Sequence, residues 1–346
     1  MYLNKIQELR GVAAILVTIT HLNYSYNILP YFNSSIGVDI FFIISGFLMA
    51  YILENKKYTI RKFISRRIIR IYPLYLIFTL LVILLKVIHS LDFNLFEILK
   101  SLLFYPFSEN QWNDLIIVPG WTLIFELFFY CIVIFKILNP LNGFKYMSIT
   151  WITLIVLHNT INFNNETNIL DIFFNTLNIE FIYGIISYYI YQNKFYSNKW
   201  VTKLLLYLSI TILLILSLYS NDSLVYNLIP RDTIIFLGTS FPRYLIWGLP
   251  ALIFFFSFLN LNLIFRRLEK VGMWSYSLYL LQFIYLGFLS KVFGILSVDI
   301  NSISLIFKIL LSIFSFCILL ILSRYSYIYI ELKIDRIIKD KLQLKK

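Results

Sequence analysis

Charged residues and cysteine are both scarce in this chain, and each scarcity excludes a class of protein. Only 14% of the 346 residues are Asp, Glu, Lys or Arg, while 60% are hydrophobic, against about 45–50% in soluble domains. The two cysteines, Cys131 and Cys317, fall inside apolar segments, which argues against a disulfide framework or a cysteine metal site. The composition therefore predicts a polytopic membrane protein of the all-α class.

Long apolar segments recur along the whole chain. The segment at 5–24 is too long for the apolar core of a signal peptide and no small-residue cleavage site follows it, so we expect a retained helix. We expect one membrane-embedded domain over residues 1–346, without an additional soluble domain. Ten segments reach the roughly 17–25 residues that a helix needs to cross a bilayer, at 5–24, 36–54, 70–88, 118–137, 146–163, 169–191, 202–219, 243–259, 272–290 and 303–325.

Lysine and arginine are distributed unevenly between the two sets of connections. Of the 30 basic residues, 24 lie near the termini or in alternate connections, including seven at positions 55–70. Because cytoplasmic loops are enriched in Lys and Arg, we predict an even number of spans with both termini in the cytoplasm. The net charge of +12 then reflects topology and anionic lipid headgroups. No zinc-finger spacing or basic–aromatic module indicates nucleic-acid binding.

The first apolar segment carries Arg10 and His21, eleven residues apart. At about 100° per residue the two side chains share one face of a helix and are separated by roughly 16 Å along its axis. Ionisable groups inside a membrane helix usually mark a functional path through the protein. The alternative is that Arg10 anchors the helix at the cytoplasmic surface and that His21 is an interfacial polar residue.

Two acidic residues fall inside later apolar segments. Asp39 lies about three residues into the second segment, at the predicted depth of His21. Its carboxylate could fix the imidazole tautomer and leave the other nitrogen as a base, or it could be an anion stabilised at a helix N-terminus. Glu126 lies roughly 12 Å deep in the fourth segment, where a carboxylate requires a partner or a proton.

Three arginines, Arg66, Arg67 and Arg70, precede the third apolar segment. Their i,i+3 and i,i+4 spacing allows them to share a helix face, and planar guanidinium groups suit phosphate oxygens. A phosphate-rich cytoplasmic ligand could dock there beside Arg10, although positive-inside anchoring alone also explains the cluster. Trp121 could be an aromatic residue of the membrane interface or the wall of a sugar site.

Several motifs, in order along the chain, resemble those of the acyltransferase 3 family of membrane proteins. They are ELRGVAAILVTITHL, which contains an R-x10-H pattern, GVDIFFIISGFLMAYIL, FISRRIIRIYPLY, PGWTLIFELFFY, RYLIWGLPALI and VGMWSYSLYLLQ. The WTLxxELFFY and WGLPA forms look most like the branch that acetylates exopolysaccharides. Two departures stand out. Gln282 occupies a position where many members have His, and the proline that often follows the acidic residue near the C-terminus, here Glu331, is missing.

The resemblance implies a bacterial multi-pass enzyme of the plasma membrane. It would transfer an acyl group, usually acetyl, from cytoplasmic acyl-CoA to a hydroxyl of a polysaccharide or lipid-linked sugar. Acyl-CoA would be a co-substrate rather than a bound cofactor, membrane lipid a further partner, and no metal is implied. His21 would be the general base, oriented by Asp39 or Glu126. Acyl-CoA would bind Arg10, Arg66, Arg67 and Arg70, and the substrate path would include Trp121, Arg243, Trp274, Tyr276 and Gln282.

Two other functions are compatible with Arg, His and Glu inside a membrane. A secondary transporter would use these residues as proton and substrate sites, and it would move a solute without an acyl donor. A polysaccharide polymerase or flippase should carry charged residues in a large outer loop, and the predicted outer side of this chain has few. The motifs favour the acyltransferase.

Overall fold

Helices dominate the fold, which confirms the all-α prediction. The computed structural model describes residues 2–29, 32–88, 95–104, 115–161, 172–193, 198–219, 233–236, 239–261 and 264–341. Its α-helices are α1 (Tyr2–Tyr26), α2 (Ile36–Asn55), α3 (Ile60–Ile88), α4 (Leu95–Leu103), α5 (Gly120–Leu138), α6 (Gly143–Thr160), α7 (Ile179–Gln192), α8 (Lys199–Tyr219), α9 (Leu249–Leu259), α10 (Arg266–Ile295), α11 (Leu305–Ser326) and α12 (Leu332–Lys341).

Short irregular turns connect several of these helices. A 3-10 turn at Thr176–Asn178 leads into α7, and another at Ile300–Ser302 precedes α11. Turns of π-helix at Tyr244–Gly248 and Tyr327–Glu331 continue directly into α9 and α12. Such π-turns frequently occur at functional sites in helices.

Within the described ranges, six helices are long and apolar enough to cross a membrane. They are α2, α3, α5, α8, α10 and α11 with its continuation into α12. A helix also occupies each of the other four predicted segments, but α7 and α9 have only 14 and 11 residues, and α1 contains Lys5, Glu8 and Arg10. The count of ten spans and the cytoplasmic location of the termini therefore stay predictions.

An antiparallel β-hairpin lies between the seventh and eighth of the ten predicted segments. Its strands are β1 (Thr233–Phe236) and β2 (Thr239–Pro242), and Thr233 pairs with Pro242. Their sequences, TIIF and TSFP, are rich in the β-branched and aromatic residues that favour strands. These runs are too short to be recognised beside segments of about 20 apolar residues.

Helices α1 and α10 approach each other very closely. A Cβ atom on Gly272 would lie 1.7 Å from the Gln7 carbonyl oxygen, and one on Gly11 would lie 2.3 Å from that of Leu268. Glycine therefore allows the two backbones to touch, as small residues do between membrane helices. The helices run in the same direction, so residues at successive depths of α1 face residues at successive depths of α10.

Helices α2 and α7 form a second close pair. A Cβ atom on Gly46 would lie 1.9 Å from the Phe181 carbonyl oxygen, and one on Gly184 would lie 2.0 Å from that of Ile43. Phe181 also stacks on Phe42, with ring centroids 4.6 Å apart. This packing buries the face of α2 that carries Asp39 and leaves another face for the site.

The turn from α1 to α2 is fixed by the side chain of Asn23. Its amide donates hydrogen bonds to the carbonyl oxygens of Leu29 (2.9 Å) and Phe32 (3.0 Å), and its carbonyl oxygen accepts one from the Leu29 amide. Asn27 follows α1 with φ of 48°, a left-handed conformation that asparagine tolerates better than most residues. The end of α1 that carries His21 is therefore held against the start of α2.

Candidate functional site

An internal chamber lies between α1, α2, α3, α5 and α10. Its free volume is about 80 Å³, several times the roughly 10–15 Å³ that one water requires by the same kind of measure. We call it the inner chamber. Its polar and charged lining residues are Arg10, Ser45, Arg67, Arg70, Thr122, Glu126, Tyr130, Ser275, Tyr276 and Tyr279.

Arg10 occupies a central position in the lining of this chamber. Its Nη2 atom donates a 2.9 Å hydrogen bond to the Ser275 hydroxyl on α10. Its guanidinium is repelled by that of Arg70 and attracted by the carboxylates of Glu126 and Glu331. Arg10 therefore points into the bundle with other charged groups, instead of serving only as a surface anchor.

Arg67 and Arg70 reach the same chamber from α3. The Arg67 guanidinium lies 5.6 Å from the ring centroid of Phe63 and 5.5 Å from that of Tyr130, and its Nε atom has no hydrogen-bond partner among the described residues. No hydrogen bond or ion pair joins Arg70 to another residue that the structure describes. Both side chains therefore retain donors for an anionic ligand.

Arg66 is directed elsewhere, although the sequence placed it in the same cluster. Its Nη1 atom donates a 3.0 Å hydrogen bond to the Tyr58 hydroxyl, and its guanidinium lies 5.5 Å from the centroid of that ring. It is absent from the lining of the inner chamber. The structure thus brings together Arg10, Arg67 and Arg70, and places Arg66 outside their group.

Glu126 is the single carboxylate among the described residues that line the inner chamber. It accepts a 3.1 Å hydrogen bond from the Ser45 hydroxyl and a short one from the Tyr130 hydroxyl. Tyr130 lies four residues after Glu126, the spacing that puts two side chains on one helix face. Three arginines and one glutamate give the lining a formal charge of +2, which favours an anionic ligand.

A second cavity continues from the inner chamber and shares two of its residues. Arg10 and Arg70 line both cavities. The second one has a volume of about 220 Å³, and its lining includes Glu331 and the first residues of α12. Ser277 donates a 2.8 Å hydrogen bond to Glu331. We call this cavity the vestibule, because it leads to the predicted cytoplasmic side.

A third cavity lies at the opposite end of the bundle. It has a volume of about 280 Å³, and we call it the outer cavity. His21 lines it from α1, and Gln282 from α10. This gives His21 a different cavity from Arg10, as expected for residues separated by three turns of one helix. The outer cavity is lined by His21, Ser25, Pro119, Gln282, Phe283, Leu286 and Gly287.

Asp39, which we expected to orient His21, forms an ion pair with Arg243. The Arg243 Nε and Nη2 atoms donate hydrogen bonds of 2.9 Å and 2.7 Å to its two carboxylate oxygens. Asp39 is fully buried, and the fully buried carboxyl of Glu180 contacts it. The arrangement gives Asp39 and Arg243 a structural role, joining α2 to the start of α9. An orienting role of Asp39 or Glu126 toward His21 stays a prediction.

The remaining predicted substrate residues lie at different places. Tyr276 lines the inner chamber and donates a 2.6 Å hydrogen bond to the Ile71 carbonyl oxygen. Trp121 is 9% exposed and packs edge-on against Phe42, so it belongs to the core rather than to the membrane interface. Trp274 faces the guanidinium of Arg324, 6.0 Å from its ring centroid.

Sequence reasoning missed several hydroxyl residues of the inner chamber, including Ser45, Tyr130, Ser275 and Tyr279. Serine and tyrosine are common in membrane helices and carry no charge at neutral pH, so they gave no signal of their own. The spacing of Tyr130 from Glu126 could have identified one of them.

Comparison with protein families matches an acyltransferase domain over residues 4–322. The chain belongs to the acyltransferase 3 family. This confirms the family predicted from the motifs, and with the six long apolar helices it confirms a membrane protein. The match contains the described lining residues of the inner chamber and the outer cavity, and it ends before Glu331 and α12, which line part of the vestibule.

Two relatives of this acyltransferase 3 member have names that refer to cell-surface carbohydrates. It is 35% identical over 111 residues to the exopolysaccharide production protein ExoZ of Rhizobium meliloti (strain 1021), which covers 31% of this chain and 35% of that protein. It is 37% identical over 106 residues to the peptidoglycan O-acetyltransferase OatA of Listeria monocytogenes, which covers 29% of this chain and 16% of that protein. The chain thus spans about a third or less of these relatives. No solved structure matches it.

Proposed function

We propose that this protein is a membrane O-acyltransferase of the bacterial plasma membrane. It transfers an acyl group, acetyl in the first instance, from cytoplasmic acyl-CoA to a hydroxyl of a cell-surface or lipid-linked carbohydrate. The observation that carries the proposal is the convergence of Arg10, Arg67 and Arg70 on one interior chamber, with His21 in a separate cavity at the other end of the same helix.

Acyl-CoA enters through the vestibule in this proposal. Its phosphates bind the guanidinium groups of Arg67 and Arg70, which suit phosphate geometry. The Nε atom of Arg67 has no hydrogen-bond partner among the described residues. Arg10 lines both the vestibule and the inner chamber, so it stands where the extended pantetheine arm passes. The thioester then lies in the inner chamber, on the side nearest the outer cavity.

The acceptor hydroxyl enters the outer cavity and meets His21. The imidazole takes the hydroxyl proton as a general base, and the hydroxyl oxygen attacks the thioester carbonyl carbon. The carbon–sulfur bond breaks, an ester forms on the acceptor, and the proton passes from His21 to the leaving CoA thiolate. The step balances, because every atom of the products comes from the acyl-CoA and the alcohol and no oxidation state changes.

The names of the two relatives support a carbohydrate acceptor. One refers to exopolysaccharide production and the other to O-acetylation of peptidoglycan, and both materials lie on the outer side of the membrane. That location agrees with a donor taken up at one end of the bundle and an acceptor bound at the other. It also agrees with the predicted topology, in which the end of α1 that carries His21 is extracytoplasmic.

Donor binding is tested by thermal unfolding of the detergent-solubilised protein with and without acetyl-CoA. A ligand that binds only the folded state stabilises it and so raises Tm. At a ligand concentration of a hundred times Kd, the free energy of unfolding increases by roughly 2.7 kcal/mol. We expect the shift in the wild-type protein and a much smaller one in Arg67→Gln and Arg70→Gln. Arg66→Gln is the matched control and should keep the full shift, since Arg66 binds Tyr58 outside the chamber.

Transfer is tested in proteoliposomes with acetyl-CoA that is radiolabelled in the acetyl group. Label should appear in alkali-labile ester on envelope polysaccharide added to the outside, and none in vesicles without the protein. If a folded wild-type protein shows neither acetyl-CoA stabilisation nor ester formation, the acyltransferase proposal is wrong. Solute uptake without an acyl donor would then favour the transporter alternative.

A further inference from the structure

The outer cavity contains a polar side chain whose hydrogen-bonding groups are not used by the protein. Gln282 is 0% exposed, and neither its amide nitrogen nor its amide oxygen has a hydrogen-bond partner among the described residues. Burying an unpaired amide destabilises a fold, so such a group in a cavity indicates a site for a ligand. The amide offers two N–H donors and one acceptor oxygen.

The other lining residues define the chemistry of that ligand. Phe283, Leu286 and Pro119 provide an apolar wall, while Ser25 and His21 provide further polar groups. No Asp, Glu, Lys or Arg occurs among the described lining residues, so no permanent charge there would neutralise a charged ligand, and a His21 that acts as a base must be uncharged when the acceptor binds. The volume of about 280 Å³ falls just below the roughly 300–1,000 Å³ of typical ligand pockets, which suits one small ring rather than a chain.

One lining position of the outer cavity has no side chain. Gly287 lies at the exposed end of the lining, and a Cβ atom there would meet no other atom within 4 Å. Glycine is not required for packing at this point, in contrast with Gly272 further along the same helix, where a Cβ atom would meet the Gln7 carbonyl oxygen. A large side chain at 287 would therefore enter open space beside the outer cavity.

We propose that the outer cavity binds one neutral pyranose unit of the acceptor, with Gln282 as a hydrogen-bonding specificity residue and Gly287 as the size-determining residue at the entrance. The amide of Gln282 binds two hydroxyls of the ring, and Phe283 and Leu286 cover an apolar face of the sugar. This holds another hydroxyl beside His21. The inference rests on the proposed function and adds the chemical class of the acceptor and two residues that select it.

The test uses cells that lack the gene and are complemented with the wild-type protein, Gly287→Phe, Gln282→Leu or Gly294→Phe. Ester-linked acetate is released from the envelope polysaccharide by mild alkali, and binding of radiolabelled acetyl-CoA is measured on the same membranes. Gly287→Phe and Gln282→Leu should lower the ester by roughly tenfold or more while acetyl-CoA binding persists. Gly294→Phe is the matched control, because a Cβ atom there also meets no atom within 4 Å and Gly294 does not line the cavity.

A thermal measurement separates ligand binding from a structural role of Gln282. Leucine has a similar size and no unpaired polar group, so Gln282→Leu should melt at a higher temperature than the wild-type protein although it transfers less. If Gln282 only supported the fold, the variant would melt at a lower temperature. Wild-type ester levels in Gly287→Phe would overturn the inference and leave the proposed function intact.

The identity of the acetylated sugar provides the last criterion. Acid hydrolysis and mass spectrometry of the wild-type polysaccharide should locate the ester on a neutral hexose or N-acetylhexosamine. Ester on a uronic acid would overturn the inference of a neutral ring. If wild-type complementation adds no ester and the membranes do not bind acetyl-CoA, it is the proposed acyltransferase function that fails.

Discussion

The hydroxyl groups of Thr122 and Tyr279 lie 2.7 Å apart, and Tyr279 donates a 2.8 Å hydrogen bond to the Pro119 carbonyl oxygen. Thr122 and Tyr279 line the inner chamber, whereas Pro119 lines the outer cavity. These three groups therefore form the wall between the two cavities. They also join the start of α5 to the middle of α10, so a movement of either helix would change the opening between donor and acceptor.

Tyr279→Phe should weaken this wall without removing the ring. The substitution deletes both hydrogen bonds, each of which contributes about 0.5–1.5 kcal/mol. We therefore expect the conformation in which the inner chamber and the outer cavity are connected to become at least several-fold more frequent. Water from the outer cavity would then reach the thioester. Release of CoA from acetyl-CoA in proteoliposomes without acceptor should rise by a similar factor.

Tyr285→Phe is the control for this prediction. Tyr285 lies on the same helix and donates a 3.1 Å hydrogen bond to Ser315, away from the wall. Its loss should leave the hydrolysis of acetyl-CoA unchanged. Equal rates of hydrolysis in the two variants would mean that the Tyr279 hydroxyl does not separate the cavities.

Glu126 should weaken the binding of the anionic donor, because its carboxylate faces the same three arginines that would bind phosphate. Glu126→Gln removes this negative charge and keeps an oxygen that can accept from Ser45 and Tyr130. Unit charges several ångströms apart interact by about 2–4 kcal/mol at an effective dielectric constant of 20. Because 1.4 kcal/mol corresponds to a factor of about ten, we expect Kd for acetyl-CoA to fall by about tenfold or more, measured by equilibrium binding at low ionic strength.

Glu269→Gln makes the same charge change on α10 without touching the inner chamber or the vestibule. It should leave Kd near the wild-type value. If Glu126→Gln weakens donor binding instead, Glu126 acts by holding Tyr130 or Ser45 in place, and the charge balance of the chamber is not what limits affinity.

Local helix geometry allowed part of the site to be predicted from the sequence. The placement of Arg10 and His21 on one face follows from their separation alone, and both line cavities in the structure. The spacing of Arg67 and Arg70 likewise predicts a common face. The same spacing rule admitted Arg66, because i,i+3 and i,i+4 positions are both neighbours. Only the packing of α3 decides which of the adjacent arginines faces inward.

The partners of the acidic residues could not be predicted in this way. Asp39 pairs with Arg243, which lies 204 positions later in the chain, and no local pattern encodes which helix packs against α2. Depth alone suggested His21 as the partner. Gln282 was visible as a departure from a motif, but its unpaired amide became apparent only when neighbouring helices were in place.

His21→Ala should abolish transfer and preserve donor binding. General base catalysis typically contributes 10²–10⁴-fold, so ester formation should fall by about that factor or more. The acetyl-CoA-induced shift in Tm should persist, because His21 lines the outer cavity and not the inner chamber or the vestibule. Both quantities are measured on one purified preparation.

His158→Ala controls for the loss of an imidazole. His158 lies on α6 and packs against Phe174, with ring centroids 5.1 Å apart, and it lines none of the three cavities. It should transfer acetyl at the wild-type rate. If His21→Ala transfers acetyl as fast as His158→Ala does, a residue other than His21 must be the general base.

The Asp39–Arg243 ion pair should determine stability more than donor binding. Asp39→Asn removes the carboxylate that pairs with the buried guanidinium of Arg243, and breaking a buried pair in this way costs about 3–5 kcal/mol. We expect a large fall in Tm in detergent. The double variant Asp39→Leu/Arg243→Met should recover much of it, because replacing both partners with apolar groups removes the unpaired charge.

The pair Asp335–Lys339 provides the comparison, since its side chains are 38% and 42% exposed and the ion pair spans one turn of α12. An exposed pair contributes about 0–1 kcal/mol, so Lys339→Gln should hardly change Tm. Arg243 also interacts with the buried carboxylate of Glu180, which could replace Asp39 as its counter-ion. In that case Asp39→Asn would be nearly as stable as Lys339→Gln, and the combination Asp39→Asn/Glu180→Gln would show the full loss.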